Sequence, residues 1–154
     1  MTYDLNGTHV LVTGASSGIG AALAEGFARR GAVVGICARR ADRLDEVLRT
    51  CREHSPDSIA WTVDLADLDG IEAFARRASA DLGGIDVLVN NAGIPKRRPV
   101  FALDPATIDA VMAINYSSPV RLTLALLDEI VARAGRFVYV SSVARSEEHT
   151  SELQ

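Results

Sequence analysis

Residues 13–20 read Thr-Gly-Ala-Ser-Ser-Gly-Ile-Gly, directly after the β-branched apolar run 8–13 (THVLVT). Directly behind them comes a stretch with helical spacing, Ile19, Leu23 and Phe27 at intervals of four. Three glycines in a turn between a strand and a helix restrict the fold more than any other feature of the chain. A side chain at Gly14, Gly18 or Gly20 would obstruct a close approach of backbone to ligand, or of helix to strand. The helix that starts near Gly18 points its unpaired N–H groups and the positive end of its dipole at the turn, which makes an anion seat. A Gly-Ser turn that only caps a helix is the plain alternative. The position between strand and helix favours the pyrophosphate of a dinucleotide.

The rest of the chain repeats the alternation. Residues 33–38 (VVGICA) read as a second strand, 59–63 as a third, 86–89 as the start of a fourth and 136–141 (RFVYVS) as a fifth. Helical faces lie between them, one through Leu44, Val47, Leu48 and Cys51, another through Leu68, Ile71, Phe74, Ala75 and Leu82. Gly31 stands where a helix C-cap favours glycine, so the first helix is expected to end there. After an irregular segment at 90–103, Asp104-Pro105 supplies an N-cap followed by proline at the first helical position, and that helix is expected to run to about residue 134. Strands alternating with helices predict one α/β domain, a doubly wound parallel sheet covered on both faces.

Length and composition narrow the function classes. At 154 residues the chain is one domain long, and 48% hydrophobic with 23% charged residues is an ordinary globular composition. A net charge of −4 gives no electrostatic case for nucleic acid or an anionic membrane. The basic clusters, Arg39 with Arg40 and Lys96 with Arg97 and Arg98, read first as solvated surface. No uninterrupted apolar run reaches the roughly 18 residues of a bilayer span, and the first nine residues lack the pattern of a signal peptide. Cys37 and Cys51 make no disulfide framework, Cys37 reading as a buried thiol. Three histidines without ligand spacing give no metal site. The cytoplasm is the expected compartment.

With these residues in view, the chain resembles the short-chain dehydrogenases/reductases. The resemblance rests on TGASSGIG in the family's TGxxxGxG form, Asp64 in VDLAD, Asn90 to Gly93 (NNAG), Asn115 in MAINYSSP, and Ser141-Ser142 in GRFVYVSSVA. They occur in the family's order and spacing, over residues 5–144. The resemblance implies a Rossmann-type sheet, incomplete here at about five of seven strands. It implies an NAD(P)-dependent oxidoreductase that transfers hydride between NADP(H) and a small-molecule carbonyl or alcohol substrate, in a homo-oligomer of two or four chains.

Residue roles follow from the same resemblance. Thr13, Gly14, Ser16, Ser17, Gly18, Ile19 and Gly20 make the phosphate turn. Asp64 and the Leu65 backbone meet the adenine, unless Asp64 only caps a helix. Asn90, Asn91, Ala92 and Gly93 lie in the turn against the cofactor, the alternative for Asn91 being to stabilise the central strand through backbone hydrogen bonds. Asn115 holds a water in the proton relay; from the residues alone, a satisfied buried asparagine stays open. Ser142 orients the substrate carbonyl, ahead of Ser141. The second strand ends in Ala38, where an acid would bind ribose hydroxyls, and Arg39 and Arg40 follow. A guanidinium there suits a 2′-phosphate, so NADP(H) is expected over NAD(H), with Arg39 and Ser16 as contacts of the cofactor; a charged loop is the alternative.

The family's tyrosine, and the lysine four residues on that lowers its pKa, have no counterpart: the 154 residues contain no Tyr-x-x-x-Lys. Lys96 is the single lysine, and Tyr3, Tyr116 and Tyr139 lie in other contexts. Residues 145–154, RSEEHTSELQ, have one aliphatic side chain and no helix or strand face. They are similar to the translation of a common sequencing adapter (AGA TCG GAA GAG CAC ACG TCT GAA CTC CAG). The expected division is therefore a nucleotide-binding domain at 1–144 and an artefactual tail at 145–154, the chain being catalytically dead and poorly soluble. The alternative function is a non-catalytic dinucleotide-binding module.

Overall fold

The computed structural model describes residues 4–95, 100–102 and 104–141. Five strands, β1 (His9–Thr13), β2 (Val33–Ala38), β3 (Ile59–Thr62), β4 (Val87–Asn90) and β5 (Arg136–Tyr139), form one sheet in the order β3-β2-β1-β4-β5. Every pairing is parallel. Helices α1 (Gly18–Ala28), α2 (Ala41–Arg52), α3 (Ile71–Leu82), α4 (Pro105–Met112) and α5 (Ser118–Ala132) connect the strands. The expected five-stranded Rossmann-like α/β fold is the one observed.

Period-two alternation assigns each strand residue to one of two cores. Val10, Val12, Val34 and Ile36 pack with Ala24, Ala28, Leu44 and Val47 of α1 and α2. Leu11, Cys37 and Leu88 pack on the other face with Phe74, Ala78, Leu122, Leu126 and Ile130 of α3 and α5. Burial on both faces explains why β1 and β2 read as continuous apolar runs. Burial also pushes the Cys37 thiol up to about 12, despite the opposing backbone hydrogen bond at Gly14, so it stays a protonated core side chain.

The structure corrects some boundaries. Strands β1, β3 and β5 are one or two residues shorter than the apolar runs, and β4 includes Asn90. Helix α1 ends at Ala28 with Arg29 as C-cap, ahead of Gly31. Gly31 still takes a left-handed φ of +84°, closing the turn with its N–H on the Ala28 carbonyl (3.0 Å). The long helix begins as expected: Asp104 caps it, accepting from the Thr107 N–H at 2.8 Å, with Pro105 in the first turn. It does not run through, however. A π-turn at Ala113–Ser117 divides α4 from α5 and contains Asn115. Such an insertion shifts the helical phase, and these bulges concentrate at functional sites.

At the amino edge of the sheet, Asp86 is the hub of a polar joint. Its Oδ2 accepts from the His9 N–H (2.8 Å) and its Oδ1 from Arg133 Nε (2.7 Å). Glu129 of α5 accepts from the Ser79 hydroxyl and from the Ile85 N–H, both at 2.6 Å, tying α5 to α3 and to the entry of β4.

The outer side of α4 and α5 carries exposed apolar residues, among them Ile108, Met112, Leu124 and Val131. By length and composition alone the helical stretch Pro105–Ala132 (28 residues) is long and apolar enough to cross a membrane, a test that a core helix of a soluble protein also passes. Its inner side, Leu122, Leu126 and Ile130, is buried in the core between sheet and helices.

Candidate dinucleotide site

The order β3-β2-β1-β4-β5 puts the chain reversal between β1 and β4, where the loops leaving their carboxyl ends diverge. Open α/β sheets bind ligands in that crevice. The loop after β1 carries the glycine turn and the loop after β4 carries Asn91 to Gly93, so topology alone brings together the two most informative motifs.

Thr13 joins these loops. Its hydroxyl donates to the Val89 carbonyl (3.2 Å) and accepts from the N–H groups of Asn91 and Ala92, each at 3.0 Å. One proton and two lone pairs are all that a hydroxyl offers, so its valence is complete. The Asn91 carboxamide returns the contact, donating to the carbonyls of Thr13 (3.0 Å) and Gly14 (3.3 Å). The geometry therefore gives the Asn91 side chain structural work.

The glycines sit where these loops meet. Gly14 has φ +67°, and a Cβ added there would lie 2.7 Å from Ala92 Cα. A Cβ at Gly20 would meet Asn91 Nδ2 and the Gly14 carbonyl oxygen, both closer than real Cβ contacts allow. Ser17, Gly18 and Ile19 are exposed at the start of α1. No acidic side chain stands in its first turn, and the Ser17 hydroxyl does not cap it. Gly14 and Gly20 thus let the turn pack closely on the loop after β4 and on itself, whereas a Cβ at Gly18 (φ +59°) would meet nothing within 4 Å. The exposed first turn of α1, with its amides uncapped by a side chain, fits a phosphate group.

Of the two arginines after β2, the structure brings Arg40 to the turn. Arg40 Nη2 donates to Ser16 Oγ (3.1 Å) and Ser17 Oγ (2.8 Å). Arg39 is exposed on the same loop.

Asp64 is exposed and its Oδ1 accepts from the Ala66 N–H (3.0 Å), closing a local turn after β3. Leu65 is buried and lines a cleft of about 130 Å³. Thr13, Asn90, Ala92, Asn115, Tyr139 and Ser141 line the same cleft, so it stands at the carboxyl edge over the loops just described. Asn115 is exposed, and its carboxamide clamps the Ile94 backbone, Oδ1 accepting from the N–H (2.9 Å) and Nδ2 donating to the carbonyl (3.1 Å). Gly93 passes close by, where a Cβ would lie 3.5 Å from Asn115 Oδ1. Ser142, Lys96, Arg97, Arg98 and the tail 145–154 lie outside the described residues.

Sequence reasoning did not anticipate Asn90 and Tyr139 as parts of one network. Asn90, 6% exposed, donates to Thr123 Oγ1 (3.3 Å), which shares a hydrogen bond of 2.7 Å with the Tyr139 hydroxyl. The network joins β4, α5 and β5 beside the cleft. Pairing across separate elements leaves no trace in local sequence.

Comparison with known proteins agrees with this fold. The short chain dehydrogenase family matches over residues 8–152. A fatty acyl-CoA reductase of Mycobacterium tuberculosis is 37% identical over 142 residues, covering 90% of this chain and 48% of that protein. The crystal structure of a short chain dehydrogenase from Burkholderia cenocepacia in complex with NADP superposes with a TM-score of 0.87 at 32% identity, covering 95% of this chain and 60% of that one. A metagenomic short-chain oxidoreductase in complex with NADP gives a TM-score of 0.86 at 35% identity, covering 95% and 67%. The chain spans about half the length of the curated relatives it matches, 48% and 57% of the first two.

Proposed function

The chain belongs to the short-chain dehydrogenase family, and on that premise we propose that it is the cofactor-binding part of an NADP(H)-dependent oxidoreductase acting on a small carbonyl or alcohol. The observation that carries this reading is the joint of Thr13, Asn91, Gly14 and Gly20, which locks the glycine turn to the loop after β4 and leaves the first turn of α1 without a side-chain cap. The bound cofactor supplies or accepts the hydride.

The chain's own residues hold and orient it. The first turn of α1 faces the pyrophosphate, and Leu65 with the loop at Asn91, Ala92 and Gly93 forms the wall of the cleft. A carboxamide has two donors and two lone pairs. The two bonds from Asn115 to Ile94 therefore leave one of each for a relay water. Ser142, two residues beyond Val140, is proposed as the group that orients the substrate carbonyl. Arg39 and Arg40 are proposed for the 2′-phosphate, with Ala38 offering no carboxylate to the ribose hydroxyls. The cytoplasm and a homo-oligomeric parent belong to the same proposal.

The second reading is a binding module without turnover, and a Tyr-x-x-x-Lys in the parent protein separates the two. Both readings are tested by one set of measurements. The chain is expected to bind NADP⁺ about tenfold or more tighter than NAD⁺, the ratio a charge-assisted phosphate contact sustains. It is expected to show no NADPH oxidation with carbonyl substrates. Tighter binding of NAD⁺ would refute the cofactor assignment, and measurable oxidation would refute the inactivity.

Residues 145–154 are proposed as translated adapter. The family match itself extends to residue 152, so the source DNA is the arbiter. Sequencing across codon 144 from a longer insert is expected to replace this tail with a frame that reaches a tyrosine near position 155 and a lysine four residues later. If the ten codons and a stop are present in the source, the tail is native and the binding-module reading takes precedence.

A further inference from the structure

We infer that Arg40 is a positioning residue for the pyrophosphate cradle: it draws the Ser17 hydroxyl away from the first turn of α1 and so keeps that turn's N–H groups open to an anion. The inference rests on the dinucleotide reading above and extends it, because it gives Arg40 work that does not depend on a 2′-phosphate.

A serine at an N-cap ordinarily accepts from the N–H of the second or third helical residue. Ser17 has the backbone of an N-cap, extended at φ −173° and ψ 172°, yet makes no such bond. Its Oγ accepts instead from Arg40 Nη2 at 2.8 Å, and the same nitrogen reaches Ser16 Oγ at 3.1 Å. The chain provides its own contrast. At the start of α4, Asp104 caps in the ordinary way, taking the Thr107 N–H at 2.8 Å. Helices α2, α3 and α5 also begin without a side-chain cap bond, at Arg40, Gly70 and Ser117; α1 differs in that a serine in extended N-cap geometry gives its hydroxyl to a guanidinium.

The diversion follows from sheet register. Strands β1 and β2 pair in parallel with Thr13 opposite Cys37, and the N–H groups of Gly14 (2.8 Å) and Ala15 (3.3 Å) both donate to the Cys37 carbonyl. The loops leaving the two strands therefore run side by side. Arg40, three residues past Cys37, meets Ser16 and Ser17, three and four residues past Thr13. Without the guanidinium, Ser17 would be expected to turn to the amides of Ile19 or Gly20, the groups a phosphate needs.

The test uses ADP-ribose, which has the pyrophosphate and lacks the 2′-phosphate. Its affinity is measured by equilibrium dialysis on the 154-residue chain, on Arg40→Met, on Ser17→Ala and on the double variant, with circular dichroism as a check on folding. Arg40→Met is expected to weaken ADP-ribose about fivefold, which corresponds to a competing cap of about 1 kcal/mol. In the presence of Ser17→Ala, the further change Arg40→Met is expected to have no effect, because no hydroxyl remains to compete. Unchanged affinity for ADP-ribose in Arg40→Met confines the residue to the 2′-phosphate and overturns the inference. Equal losses with and without the Ser17 hydroxyl point to general disorder of the loop and overturn it too. If the unmodified chain binds neither ADP-ribose nor its 2′-phosphorylated form, the dinucleotide reading falls, and this inference with it.

Discussion

Gly14→Ala is expected to lower dinucleotide affinity by about 100-fold or more and to cost about 2–4 kcal/mol of stability. Two effects add. Alanine at φ +67° is strained by about 1–2 kcal/mol. Its Cβ would also meet Ala92 Cα at 2.7 Å and Ala92 N at 3.0 Å, both backbone atoms that no rotamer change removes. The loop after β4 must shift, and the hydrogen bonds of Thr13 and Asn91 that align it with the glycine turn shift with it. Denaturation midpoints and dialysis against NADP⁺ test this. A stability loss under about 1 kcal/mol with unchanged affinity would contradict it.

Asp86→Ala is expected to destabilise the chain by about 2–4 kcal/mol, since it leaves Arg133 Nε and the His9 N–H without their acceptor. Burial raises the carboxyl's pKa, but the hydrogen bonds from Arg133 and His9 lower it further, so the net direction is downward. A carboxyl whose folded pKa lies below its unfolded value contributes stability in full above the unfolded value, near 3.9. The contribution is lost as pH falls through the folded value. The gap between wild type and Asp86→Ala should accordingly be constant around neutrality and narrow below about pH 4. Urea midpoints measured across that range check it, and a gap that widens in acid would refute the assignment. The joint lies at the amino edge, opposite the loops of the site, so ADP-ribose affinity of whatever fraction remains folded should be unaffected.

Local signals were legible in the sequence, and contacts between distant elements were not. The glycine turn lies between strand and helix as its spacing demands, and the Asp104-Pro105 start is capped as its chemistry demands. Both depend on a few consecutive residues, whose backbone preferences are intrinsic. The π-turn at Ala113–Ser117 was invisible, because apolar spacing through Val111, Met112 and Ile114 reads as one uninterrupted helix. The contact of Arg40 with Ser16 and Ser17 was hidden for a similar reason. Two adjacent arginines are equivalent to a pattern, and only the parallel register of β1 and β2 decides which one faces the turn. Asp64 illustrates the reverse case, since its proposed reach to an adenine coexists with a hydrogen bond to its own turn at Ala66.

The completed valence of the Thr13 hydroxyl bears on how this fold can be altered. With its proton on Val89 and both lone pairs on Asn91 and Ala92, the hydroxyl makes every bond it can within the protein, so a water entering between the two loops would have to displace one of them. The glycine turn and the Asn-Asn-Ala-Gly turn are thus mechanically one part. A graft that imports either from another protein will carry a mismatch at Thr13 unless it imports the other as well, and the smallest transplantable unit of this site is the pair.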